Sequence, residues 1–227
     1  MPRSPRRPLL GLSLLLAACA TAPATTAPVA VVDPAAAQAA TAAAPMEGMG
    51  AHCDMHHEQS PFTRTEAAYT IPALTLTNRD GQPYPLSALA TADHPIVLNF
   101  IFATCTTVCP VMTATFAQAR AALGPEADRV EMVSITIDPQ HDTPAVLAEY
   151  AQKYEAPAAW AFLTGPSADI NAALHAFDAD FGSKFNHRPV TLLHAPGAAA
   201  WVRLEGLGSG AALADEIRHS LLGAAQP

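Results

Sequence analysis

The sequence is short of cysteine and of positive charge, and it has no second long apolar run. Four cysteines among 227 residues are too few to staple a disulfide scaffold. Twelve lysines and arginines stand against twenty aspartates and glutamates, a formal net charge of −8. Arg3, Arg6 and Arg7 account for three of the twelve, so the remainder of the chain is more acidic still. That balance argues against nucleic acid or anionic lipid as a partner and suits cations. Beyond residue 18 no stretch approaches a membrane span, and no internal repeat is present.

What is there begins with a leader. The three arginines precede the apolar stretch LLGLSLLLAA, residues 9–18. A basic start and a short apolar run make a signal peptide, too short for a spanning helix. The run ends in Leu16-Ala17-Ala18-Cys19, which resembles a bacterial lipoprotein signal. Residues 1–18 would then be removed and Cys19 lipidated, anchoring the chain to the periplasmic face of a membrane. Ordinary cleavage after a small residue, with Cys19 a bystander, is the alternative.

Residues 20–45 are almost entirely Ala, Thr, Pro and Val. This composition, with no periodic apolar face, predicts an extended tether over 19–65 without a packed core. A globular composition starts near Glu66 and continues to residue 227, about 160 residues, enough to bury roughly 70% of the unfolded surface around one core. Strands are expected at 69–76, at the unbroken apolar run PIVLNFIF (95–102), and at 130–138. Two more follow at VTLLHAP and AWVRLEGL, joined by a turn at Pro196-Gly197. Helices are expected at 110–123, at 143–155 with Thr143 as N-cap and Pro144 first, at 167–180 and at 210–222. The alternation indicates an α/β three-layer sandwich on a central mixed sheet.

Cys105 and Cys109 follow the apolar strand where a helix begins. Helix N-terminal amides favour negative charge, and the thiolate is both nucleophile and metal ligand. A spacing of four is expected to bring both sulfurs to one side of the first helical turn, with Pro110 at an early position that needs no N–H. Two buried cysteines packed as small hydrophobes are the bland reading. The placement at a sheet edge favours redox or metal chemistry.

FATCTTVCPVMT, then SITIDPQHDTP, then YAQKYEAPAAWAFLTG together resemble the Sco/SenC family of copper-binding, thioredoxin-like proteins. The resemblance runs in order over about 68–222, and its Cys-x-x-x-Cys-Pro and Asp-Pro-x-x-Asp-Thr-Pro elements are specific in combination. It implies that Cys105, Cys109 and a distant histidine bind one copper ion. It also implies help in assembling the dinuclear copper site of cytochrome c oxidase, so that the partners are a subunit of that enzyme and a copper donor. Among His94, His141, His175, His187, His194 and His219, the place of the family's ligand falls on His187. His194, at the far end of the same strand, is the alternative. The chain departs from the family in having Asn186 before the histidine and a loop about ten residues shorter. Two thiolates and an imidazole are a soft set suited to Cu(I) and able to hold Cu(II), whereas zinc would favour a fourth protein ligand. Asp138 would orient His187 or stand in the metal's outer shell; capping the turn at Pro139 is its bland role. Asp142 is expected to help start the following helix.

One segment lies outside the resemblance: MEGMGAHCDMHHEQS, residues 46–60. Met46, Met49, His52, Cys53, Met55, His56 and His57 supply thioether, thiol and imidazole in quick succession. That is a copper-like ligand set in a sequence otherwise made of Ala and Pro, and it predicts auxiliary copper capture. A polar linker is the alternative.

The leading expectation is a monomeric copper metallochaperone, a binding protein rather than an enzyme. A thiol–disulfide oxidoreductase using Cys105 and Cys109 on a client's cysteines is the second. A thiol peroxidase is third, and the Pro-x-x-x-Thr-x-x-Cys arrangement it would need is missing.

Overall fold

The computed structural model describes residues 60–223. The leader, Cys19 and the cluster at 46–57 lie outside the described residues. Eight strands form one sheet: β1 (Thr63–Ala67), β2 (Thr75–Asn78), β3 (Pro83–Pro85), β4 (Ile96–Ile101), β5 (Glu131–Thr136), β6 (Trp160–Thr164), β7 (Val190–His194) and β8 (Trp201–Glu205). Five α-helices accompany them: α1 (Ala88–Thr91), α2 (Val108–Leu123), α3 (Pro144–Lys153), α4 (Ser167–Ala176) and α5 (Gly210–Ile217). The last continues into a π-helical turn, Arg218–Leu222. Among the described residues no helix is long and apolar enough to cross a membrane.

The sheet order is β1-β8-β7-β4-β5-β6-β2-β3. β4, β5 and β6 run parallel, and the flanking pairs are antiparallel. β4 is buried along its whole length, as its unbroken apolar run requires of a strand covered on both faces. Its side chains divide by parity: Val97 and Ile101 join a core with Phe116, Leu147, Leu213 and Ile217. Ile96, Leu98 and Phe100 join a second core with Leu89, Ile170 and Leu174. Helices α2, α3 and α5 therefore cover one face and α1 and α4 the other, which is the expected three-layer α/β sandwich.

The differences from expectation have local causes. The fold begins before residue 66, because β1 pairs with β8 from Thr63↔Glu205 onward and Phe62 is buried. The strand expected at 69–76 is displaced to Thr75–Asn78, where β2 bonds to β3 and β6; Pro72 offers no N–H to a ladder. β6 was not expected. It is short and contains a tryptophan and a phenylalanine, both buried. α4 stops at Ala176, ahead of the expected residue 180, because Asp178 turns the chain at φ 51°. α3 starts as read, with the Thr143 hydroxyl accepting the Val146 N–H at 3.3 Å.

Candidate metal centre

The C-terminal ends of β4 and β5 meet the start of β7 at one edge of the sheet, since Ile101 pairs with Thr136 and Asn99 with Thr191. The cysteines leave β4 through the turn at residues 102–107. Cys105 precedes α2, so the two sulfurs do not share a helical turn as the spacing suggested. They meet because the Cys105 Sγ accepts the Cys109 N–H at 3.4 Å. The sulfur thereby caps an amide that Thr107 leaves uncapped, a task usually met by an oxygen side chain.

This geometry separates the two thiols. Cys105 is disfavoured as a thiolate by burial, but the amides of Cys109 and Thr107, the Thr107 hydroxyl and the Cys109 thiol outweigh that and hold it below its ordinary range. Cys109 is fully buried. Burial first, and the neighbouring Cys105 and Asp142 charges in addition, push its pKa far up. Both are free thiols. Of the pair, Cys105 is the thiol whose surroundings favour the thiolate.

His187 reaches the same place from the start of β7. With Cys105, Phe102, Thr104, Val108, Lys184 and Phe185 it lines a cleft of about 260 Å³. Its Nε2 lies 2.9 Å from the Phe100 carbonyl oxygen, which can only accept, so Nε2 carries the proton. Nδ1 is then the bare lone pair, and it is buried with no hydrogen-bond partner. Phe102 and Phe181 flank the ring at 6.5 and 6.1 Å, and burial lowers its pKa, keeping it neutral. A neutral imidazole whose N–H is tied to a backbone carbonyl is how proteins prepare a metal-binding nitrogen. His194, the alternative, bonds the Ala198 carbonyl at 3.0 Å and stacks on Trp201 at 4.4 Å. It belongs to the β7–β8 hairpin. Among the described residues no three His, Cys, Asp or Glu side chains stand together as a ready-made metal cluster.

Asp138 does not hydrogen-bond His187. Its two oxygens are taken by His141 and by the Lys184 ammonium. Burial opposes its ionisation, but those two partners hold its pKa down. Lys184 was not visible as a site residue in the sequence. It ties the turn that carries His187 to the end of β5 and stands 5.5 Å from the Phe102 ring centre. Asp142 was read as a helix-starting residue, yet it is fully buried behind the cysteine turn. Its Oδ2 accepts the Ala103 N–H at 3.1 Å and the Thr136 hydroxyl, and burial raises its pKa. It pins the cysteine turn to β5; the Asp-Pro-x-x-Asp-Thr-Pro stretch was the signal for it.

The architecture and the site define a thioredoxin-like sandwich with two thiols and a histidine at its sheet edge. The SCO1/SenC family model matches residues 63–219, more than half of the chain. The chain belongs to that family. The SCO1 protein homolog of Bacillus subtilis (strain 168) is 34% identical over 100 residues, 44% of this chain and 51% of that protein, so the match spans about half the relative's length. The SCO1/SenC family lipoprotein of Bacillus anthracis superposes with a TM-score of 0.58 at 26% identity, covering 68% of this chain and 94% of that one. Bradyrhizobium japonicum ScoI, solved with copper bound, superposes with a TM-score of 0.56 at 21% identity, covering 68% of this chain and 100% of that one, which speaks to the fold.

Proposed function

We propose that the protein binds one copper ion through Cys105, Cys109 and His187 and delivers it to an exported cuproprotein, with the dinuclear site of cytochrome c oxidase as destination. The observation that carries this reading is the buried, unpartnered Nδ1 of His187, a residue that lines one cleft together with Cys105. Two soft sulfurs and one imidazole favour Cu(I), with Cu(II) within reach of the same set. Among the described residues the three ligands do not form a ready-made cluster, so on this reading copper binding brings the turn at 183–187 and the sulfurs together. The Lys184–Asp138 ion pair ties that turn to the end of β5. The family relationship supports copper, since ScoI of Bradyrhizobium japonicum holds it. A leader of residues 1–18 followed by a lipidated Cys19 would anchor the domain at the periplasmic face of a membrane, where we take it to act as a monomer.

The asymmetry of the thiols supports a second reading. Cys105 is suited to attack a client disulfide and the buried Cys109 to resolve the mixed disulfide, leaving both oxidised and the client reduced. The two roles are compatible, since copper needs the reduced pair. The test is Cu(I) titration of the reduced protein: Cys105→Ser should lower the stoichiometry by one equivalent. If wild type and variant bind the same amount, the cleft is not a copper site.

A further inference from the structure

Among the described residues three large apolar side chains are exposed, Phe185 at 84% and Val111 and Leu207 at 46% each. All three border the cysteine cleft. Phe185 lines the cleft together with Val108 and Cys105. Val111 stands one helical turn beyond Val108 on α2, and Thr115 one turn further along the same face. The Thr115 hydroxyl donates to the Gly208 carbonyl at 3.2 Å, next to Leu207. The segment that carries Leu207 leaves β8 at this edge of the sheet. Glu205 pairs with Val190 at the start of β7 and, on its other side, with Thr63. The Gly206 N–H donates to the Pro189 carbonyl at 3.1 Å. Phe185, Val108, Val111 and Leu207 thus form one apolar arc that passes the thiols. Apolar side chains gathered at the mouth of a site mark a contact surface, whereas scattered ones do not.

The arc is also where the acidic excess of the chain is missing. Residues 102–118, 181–189 and 206–211 hold no Asp or Glu, in a sequence with twenty. The carboxylates that flank them are engaged: Asp138 by Lys184 and His141, Asp180 by the Gly182 amide and His175, Glu205 by Arg203. Arg188, next to His187, is exposed and lies 4.7 Å from the Phe181 ring centre. We propose that this arc docks a protein loop that carries cysteines, packs apolar side chains on Phe185, Val111 and Leu207, and turns a carboxylate toward Arg188. The assignment rests on the cleft acting as under the proposed function, in either of its two readings. Cu(I) passes to soft ligands and disulfide exchange needs a partner sulfur, so both call for cysteines on the loop. A second copy of this chain would bring no carboxylate on its own arc to meet Arg188. An anionic bilayer would offer no thiol, and the net charge of −8 opposes it.

Disulfide exchange reads the surface without copper, so a failed copper titration and a failed docking surface are separate results. The full chain is used reduced and with Cys19→Ser and Cys53→Ser, leaving Cys105 and Cys109 as its thiols. The Cys105 thiolate attacks a peptide disulfide and releases one peptide thiol; Cys109 then gives up its proton, closes the Cys105–Cys109 disulfide and releases the second. The probes are three short synthetic peptides closed by one disulfide: one with Leu, Phe and Glu beside the cysteines, one with Lys for Glu, and one with Ser for Leu and Phe. Each rate is divided by that for hydroxyethyl disulfide, which cancels changes in the reactivity of Cys105 itself. The Glu peptide should react about fivefold faster than the Lys peptide at low salt, with the gap closing at high salt. The Ser peptide should be about tenfold slower than its apolar parent. Arg188→Glu should reverse the charge preference, and Phe185→Ser and Val111→Ser should each slow the apolar peptides. Equal relative rates for the three peptides, or preferences that survive these substitutions, overturn the docking surface. Sedimentation of the chain with phosphatidylglycerol vesicles, or a dimer in solution abolished by Val111→Ser, would overturn the protein loop as its occupant.

Discussion

One histidine stands just ahead of β7 and another at its end, and the two are bonded almost alike. His187 and His194 each place Nε2 about one hydrogen bond from a backbone carbonyl and leave Nδ1 buried without a partner. What differs is the edge of the sheet. At the His187 edge the parallel strands β4 and β5 end, a helix N-terminus opens beside two thiols, and a cleft is lined by Cys105 and His187. At the His194 edge the hairpin closes on itself and the ring is covered by Trp201. A bare nitrogen marks a metal site only where other ligands and an entry path converge on it.

That contrast can be broken most directly by removing each ring. His187→Ala should weaken copper binding by at least ~10-fold, the lower end of what even outer-shell losses cost a metal site. His194→Ala should leave copper affinity unchanged and lower unfolding free energy by about 1–3 kcal/mol, since it removes a stacked, buried ring. Parallel copper competition and denaturant melts would measure both, and equal copper loss in the two variants would erase the distinction.

A medium effect is expected at the anchor of the His187 turn. Lys184→Met removes the ammonium that holds Asp138 and stands over Phe102, so copper affinity should fall by about 10-fold through loss of positioning. Global stability should change by no more than ~1 kcal/mol, because Lys184 is partly exposed and its ion pair is screened. A shift in the copper–thiolate absorption bands would separate positioning from mere folding damage.

The smallest effects should appear as pH slopes of opposite sign. His94, at the far edge of the sheet, sits between Glu131 at 2.8 Å and Asp93 at 2.9 Å. The hydrogen bond to Glu131 first, then that to Asp93, raises its pKa above the ordinary 6.5. Its contribution to stability is complete below 6.5 and fades as pH rises through the raised value. His187 is depressed by burial, so the unfolded chain takes up its proton first. Stability is therefore lost as pH falls below 6.5 toward the lowered value. Denaturant midpoints for His94→Gln and His187→Gln across pH 5–8 should each flatten one limb of the wild-type curve. A single limb removed by both variants would contradict the assignment.

Packing between α2 and α5 offers a control remote from either histidine. A Cβ on Gly210 would fall 2.2 Å from the Gln118 Cβ and 2.8 Å from its carbonyl carbon. Gly210→Ala should cost about 1–3 kcal/mol by overpacking, seen as a lowered melting midpoint, without changing copper affinity in the protein that remains folded.

Some of this was present in the order of the residues. The apolar run of β4, the Thr143-Pro144 helix start and the cysteine pair with its proline all depend on neighbours within a few positions. Local sterics and hydrogen bonding act on that scale, so they were legible. The family motifs named Cys105, Cys109 and His187, and the Met/His/Cys run stands in the sequence whatever the fold does. The tertiary structure alone decided the rest. It placed Cys105 ahead of the helix as a cap, turned Asp138 to Lys184 and His141, and buried Asp142 behind the cysteine turn. It also began the sheet at Thr63, which brings the incoming chain to the edge where the cysteines lie. These are contacts between residues tens of positions apart. They are set by which strands pair and which side chains fill one cleft, and no local pattern carries that information.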